Sequence, residues 1–306
     1  MITTIFSKSR PINYIIIFFI LVFAFLIAVF NYYTQSLNLY NIGHLVFNFI
    51  IVLVTVFTLN FIVTKNALSK DNTFAVFIFS LFVLLLPQVF FSTKLLLSNL
   101  FVLFSVRRLV SLSSQKNTIK KLLDSGILIA LASICYIWSV WFLILPLIAI
   151  YLNSERRLNY WLLPIIGFLS VAIIVYAIYL LYPTWFSINL SMEGLGLDFS
   201  IYNNTQIIIA LTLIFGLSVW FSFYYVPSIK KRKRVKWPAY KLVFMYLCVA
   251  VIVFFFKAEK VISEFIILSL PFAILSANYF QKNSDKWFKN ILLVLWIILS
   301  LYLIFI

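Results

Sequence analysis

The sequence predicts an all-α, polytopic membrane protein of about eleven membrane helices with its N-terminus inside. Composition is the first reason. Of 306 residues, 64% are hydrophobic and 10% charged, and the mean hydropathy is +1.10, whereas soluble domains are about half apolar and a quarter charged. At about 20 residues per crossing of a hydrocarbon layer about 30 Å thick, this apolar content suffices for about ten crossings. Periodicity is the second reason: segments such as 14–30 and 207–226 are apolar on every face, which excludes the alternation of a transmembrane barrel. The third is the placement of 24 Lys and Arg, which sort largely to one side once the spans are drawn.

Lys8 and Arg10 precede the first span, 12–33. It resembles a signal peptide but is longer than a usual h-region and lacks a small-residue cleavage site, so it reads as a retained anchor. Spans 42–64, 73–92 and 95–109 follow. Segment 122–152 has 31 residues with Asp124 alone charged, and is either one long tilted helix or two short ones meeting near Trp138 and Trp141. Drawn as two, 21 of the 24 Lys and Arg share one side, and Lys94, Lys257 and Lys260 face the other. Drawn as one, everything downstream inverts to 11 against 13, which erases the positive-inside bias. A short hairpin is therefore expected, with arms of about 22–24 Å and Tyr136, Trp138 and Trp141 at the far interface.

Spans 159–182, 203–226, 240–256, 261–279 and 289–306 complete a single integral membrane domain, 1–306. Residues 111–123 suit a helix lying along the basic interface, or a solvated connector. The outside loop 183–202 holds Glu193 and Asp198. These two acids are either solvated or in contact with a substrate or cation.

Little in the chain can carry chemistry. Cys135 and Cys248 lie 113 residues apart in apolar runs, without metal-ligand spacing. With one histidine and eight acids, multi-histidine metal sites are excluded, and no cofactor-binding motif is present. His44, beside Asn41 and Gly43 at the start of the second span, reads as an interfacial, hydrogen-bonded histidine in preference to a catalytic one. The basic run Lys230, Lys231, Arg232, Lys233, Arg234 and Lys236 orients its flanking spans or attracts anionic lipid headgroups, at about 1 kcal/mol per near-surface charge. Arg107 and Arg108 are topological anchors or ligands for a headgroup phosphate. The run lies directly between two spans, which argues against nucleic acid as a partner.

The most informative stretch is KAEKVISEFIILSLP, 257–271. Lys257, Glu259 and Lys260 fall at the outside rim, with Glu264 about 6 Å deeper on the next span. The i,i+4 spacing of Lys260 and Glu264 favours a pair. On one reading this is a structural ion pair. On the other it is a pocket holding a phosphate through the lysines and a hydroxylated group through Glu264, with Glu193 and Asp198 available from the large loop.

The segments IFSKSRPINYIIIFFILVFAFLIA (5–28), SNLFVLFSVRRLVSLSSQKNTIKKLLDSGILIALASICYIWS (98–139) and SEFIILSLPFAILSANY (263–279) resemble a flavobacterial family of multispanning inner-membrane proteins, a domain of unknown function. The resemblance covers nearly the whole chain and implies a multi-pass protein of the bacterial inner membrane. A remoter similarity is to the C-type glycosyltransferases that use polyprenyl-phosphate sugars. Lys257, Glu259, Glu264, Phe265 and Pro271 resemble a loose version of their late outside-rim motif. Those enzymes place an acid in the first outside loop. Here that loop, TQSLNLYN (34–41), has none, and Asn or Gln cannot serve as a general base in its stead.

Three functions follow as expectations. The first is a protein that binds or acts on a lipid-linked sugar, with membrane lipids and a polyprenyl-phosphate carrier as partners. The second is a noncatalytic subunit positioning other envelope proteins. The third is a transporter, which the lack of an internal repeat and the six glycines disfavour.

Overall fold

A computed structural model describes residues 2–32, 39–153, 158–182, 205–256, 261–281 and 286–302. Among these there is no strand. Twelve α-helices are described: α1 (Ile2–Phe6), α2 (Pro11–Tyr32), α3 (Leu39–Lys65), α4 (Phe74–Leu85), α5 (Thr93–Val110), α6 (Thr118–Cys135), α7 (Ile144–Leu152), α8 (Leu158–Leu181), α9 (Thr205–Lys230), α10 (Trp237–Phe256), α11 (Ile266–Gln281) and α12 (Lys286–Tyr302). Among the described residues seven helices are long and apolar enough to cross a membrane, and three shorter apolar ones accompany them. The chain is a polytopic helical membrane protein, as its composition predicts.

The expected span 73–92 is broken. Pro87 disfavours helical geometry at the residue before it; Leu86 accordingly takes φ −125°, ψ 61°, ends α4, and hands over to a 3₁₀ turn, Pro87–Phe91. Residues 111–123 do not form one interfacial helix. A 3₁₀ turn at Ser111–Ser114 is followed by Gln115 and Asn117, both left-handed (φ 52° and 54°), before α6 begins. Two such residues cannot lie within a right-handed helix.

The chain folds into two compact units, one of Met1–Leu96, Phe199–Ser228 and Lys260–Ile306, the other of Leu97–Asp198 and Ile229–Glu259. In the first, α4 is the centre: all twelve of its residues are buried, and α2, α3, α11 and α12 pack around it. In α11, Ile266 to Phe280 are buried throughout. Phe82 of α4 meets Phe272 of α11 at 5.8 Å and Trp296 of α12 at 6.0 Å, and Phe272 stacks on Trp296 at 5.2 Å. Such aromatic contacts suit a core that lacks the drive of water exclusion and depends on shape. The N-terminus is tied down by Asn13, whose amide donates to Ile5 O (3.0 Å), Lys8 O (2.8 Å) and Thr73 Oγ1 (3.0 Å).

The second unit contains the hairpin. Helix α6 stops where Tyr136 becomes extended (φ −145°, ψ 105°), a 3₁₀ segment Ile137–Leu143 turns the chain, and α7 follows. Asn153 and Ile150, at the end of α7, line the same small cavity as Thr118 and Leu122, at the start of α6. Thr118 Oγ1 also meets Tyr160 OH at 3.5 Å, so α8 begins level with the beginning of α6. The segment therefore goes out and comes back, and α6 and α8 run parallel. Their contact is close because Gly126 faces the backbone of Pro164, and Gly167 faces that of Leu123 and Ile127.

The outer surface of α8 is apolar and bare. Only 11% of its apolar window is buried, and Ile173 and Ile174 are 66% and 59% exposed. A continuous apolar face of this kind is unsuited to water and normal against acyl chains.

Candidate functional site

Polar side chains in the first unit gather where α3 starts, where the Pro87–Phe91 turn meets α5, and where Ile262–Phe265 leads into α11; the two 3₁₀ turns touch. His44, in the second turn of α3, lies about 30 Å along the helix from Lys65 at its end, roughly a hydrocarbon thickness. The cluster and the basic end of that helix therefore sit at opposite faces of one span.

His44 Nε2 and Thr93 Oγ1 are 2.8 Å apart. One turn deeper, Asn48 is fully buried and its Nδ2 donates to Phe90 O at 2.8 Å. Asn48 Oδ1 has no hydrogen-bond partner among the described residues. Ser92 Oγ donates to Ser263 Oγ at 3.3 Å, which ties the two turns together. Beside it Glu264 is buried, 4% exposed. Its Oε2 accepts the Val261 N–H at 3.4 Å, while the Glu264 N–H donates to Val261 O at 3.0 Å. This is the glutamate half of a capping box, with the valine's own carbonyl in place of a capping side chain.

The arrangement offers a buried carboxylate, two serine hydroxyls and an amide oxygen, with the exposed Lys94 next to Thr93. A carboxylate in such a place accepts hydrogen bonds from hydroxyl groups. A protonated or positively charged neighbour would be needed to hold a phosphate.

Of the residues singled out in the sequence, Glu264 belongs to this cluster, whereas Lys257, Glu259, Lys260, Glu193 and Asp198 lie outside the described residues. The Lys260 to Glu264 pair lies outside them too. In the second unit, Arg108 Nη2 stands 3.1 Å from Asp124 Oδ2, so this guanidinium has an internal partner besides any headgroup. Arg107 is half-buried. Lys230 and Lys231 are exposed, and Arg232 lies over the Tyr240 ring at 5.4 Å. Asn48, Ser92 and Ser263 were not singled out. Their signal is single polar residues bordering apolar runs, a pattern shared by many serines that merely bond their own helix, as Ser276 does to Phe272 O.

Among the described residues no group of three His, Cys, Asp or Glu is placed to hold a metal ion. No curated protein matches this chain. No solved structure matches it either. A family model spans residues 1–306, and by that match over its whole length the chain belongs to a family of unknown function, DUF6427.

Proposed function

We propose that this multi-pass protein resides in a bacterial inner membrane and binds a lipid-linked sugar, or its polyprenyl-phosphate carrier, at the outside face. Burial of Glu264, whose Oε2 accepts the Val261 N–H and which follows Ser263 of the Ser92–Ser263 pair in the chain, is the observation that supports this reading. Carboxylates at membrane depth are rare and usually face a polar cavity or a ligand. In the proposed complex Glu264 accepts a sugar hydroxyl. Lys257, Lys260 and Lys94 answer the phosphate, and the isoprenoid tail lies along the apolar flank of the bundle.

The test compares the purified protein, in lipid nanodiscs, with polyprenyl phosphate and with a polyprenyl-phosphate sugar as probes. Glu264→Gln keeps the shape and removes the charge. It should weaken sugar-carrier binding by tenfold or more, the equivalent of a charge-assisted hydrogen bond of about 1.5–3 kcal/mol, and leave the bare carrier unaffected. Equal affinity of wild type and Glu264→Gln for the sugar carrier would sink the proposal.

A second reading is favoured by the use of Glu264 as a turn cap: a noncatalytic subunit whose polar cluster holds the ends of α4 and α11 for an envelope partner. On that reading Glu264→Gln loses thermal stability and partner retention while no probe binds the wild type.

A further inference from the structure

The link between α9 and α10 carries Lys230, Lys231, Arg232, Lys233, Arg234 and Lys236, six cations within seven residues. Orienting two flanking spans takes fewer; the link after α3 does so with Lys65 and Lys70. The basic link is also a fixed shape. Arg232 N–H donates to Ile229 O at 3.0 Å and Lys236 N–H to Lys233 O at 2.9 Å. The Trp237 indole N–H donates to Arg232 O at 3.0 Å, and Arg234–Lys236 form a 3₁₀ turn. The cations are thus held close together against their mutual repulsion.

No acid lies near them in the sequence. Residues 229–256 contain no Asp or Glu, and among the described residues Lys230, Lys231, Lys233, Arg234 and Lys236 have no ion-pair partner. In their midst Val235 is 70% exposed, with Trp237 half-buried beside it. An exposed apolar side chain within a run of cations fits a surface that is anionic at its face and apolar one residue deeper. The headgroup boundary of a bilayer is such a surface.

We infer that the 230–237 turn binds the phosphate of an anionic phospholipid in the leaflet it faces, with the lysines and Arg234 supplying charge and Val235 and Trp237 seated at the acyl boundary. Each near-surface cation contributes a factor of about five, so three acting together select an anionic over a zwitterionic headgroup by about a hundredfold. This inference is independent of the Glu264 site.

The probe is Trp237 itself in the full-length protein, reconstituted with brominated phosphatidylglycerol or brominated phosphatidylcholine as quencher. The Trp237 contribution is the difference between wild type and Trp237→Phe. Quenching by the anionic lipid should set in at a mole fraction at least tenfold lower than by the zwitterionic one. That preference should shrink in 1 M salt, where the screening length is about 3 Å, and approach unity in the triple variant Lys230→Gln, Lys231→Gln, Lys233→Gln. The salt arm uses the wild type alone, so it stands if the triple variant inserts wrongly. Equal quenching by the two lipids in the wild type overturns the inference, as does a preference indifferent to both salt and the triple variant. Binding of a short RNA to the wild type in zwitterionic bilayers, with no lipid preference at Trp237, overturns it in favour of a soluble polyanion.

Discussion

Replacing Gly126 by alanine tests the α6–α8 contact with a single methyl group. A Cβ built at Gly126 would lie 2.0 Å from Pro164 O, 2.8 Å from its carbonyl carbon and 2.9 Å from its Cα, where ordinary contact begins at 3.4 Å. All three are backbone atoms, so no rotamer relieves the clash, and α8 must retreat by about 1.4 Å. A gap of even 0.5–1 Å forfeits about a quarter to a half of each contact's attraction. Overpacking typically costs about 1–3 kcal/mol, occasionally more; a clash borne by backbone belongs at the upper end, about 3 kcal/mol. That loss is net of the roughly 0.5–1 kcal/mol by which alanine favours a helix over glycine. At about 2.1 cal/mol/K of unfolding entropy per residue, a chain of this length converts that at about 1.5 °C per kcal/mol, and the melting temperature of the detergent-purified protein falls by about 5 °C. Gly167→Ala, with its Cβ 2.4 Å from Leu123 O, costs nearly as much, and the double variant costs less than the sum because one retreat serves both. Gly43→Ala and Gly216→Ala, where nothing lies within 4 Å, leave stability unchanged or raise it. A Gly126→Ala protein that melts with the wild type would refute the parallel packing of α6 on α8.

Two further substitutions probe the first unit. Phe82→Ala opens a cavity against Phe272 and Trp296 and should cost about 3–5 kcal/mol in chemical denaturation; a cost below 1 kcal/mol would contradict the central position of α4. Asn13→Leu strands the carbonyls of Ile5 and Lys8 and should cost about 1–3 kcal/mol. Its diagnostic is hydrogen exchange, which should quicken over residues 2–8, and unchanged protection there would show that Asn13 does not hold α1.

Particular residues show what can be read from a membrane sequence. The return of the chain after Trp138 was legible in charge alone, because basic residues sort by leaflet whatever the helices do. The end of α4 was legible in principle at Pro87, but an apolar run on both sides of a proline reads as one span when helices in lipid tolerate prolines; Pro164, Pro227 and Pro271 do sit inside helices. Burial was not legible. Helix α4 is wholly enclosed and α8 almost bare, yet their compositions are alike, because lipid and protein core accept the same side chains. The Gly126–Pro164 approach was hidden for a related reason, since a glycine's use depends on what faces it. Arg108 and Asp124, 16 residues apart, pair only because α6 turns back beside the end of α5. At the candidate site, Glu264 stood out as an acid next to an apolar run, whereas Asn48, Ser92 and Ser263 became visible only when two turns were brought together.

The return of α7 to the start of α6 is tested most directly by a distance between spin labels at Ile119 and Tyr151, both exposed, in a protein with Cys135 and Cys248 replaced by serine. A hairpin brings the labels within about 30 Å, two to three helix diameters. One continuous helix through Trp138 would hold them about 48 Å apart at 1.5 Å per residue, and that longer distance would contradict the fold and the sidedness built on it.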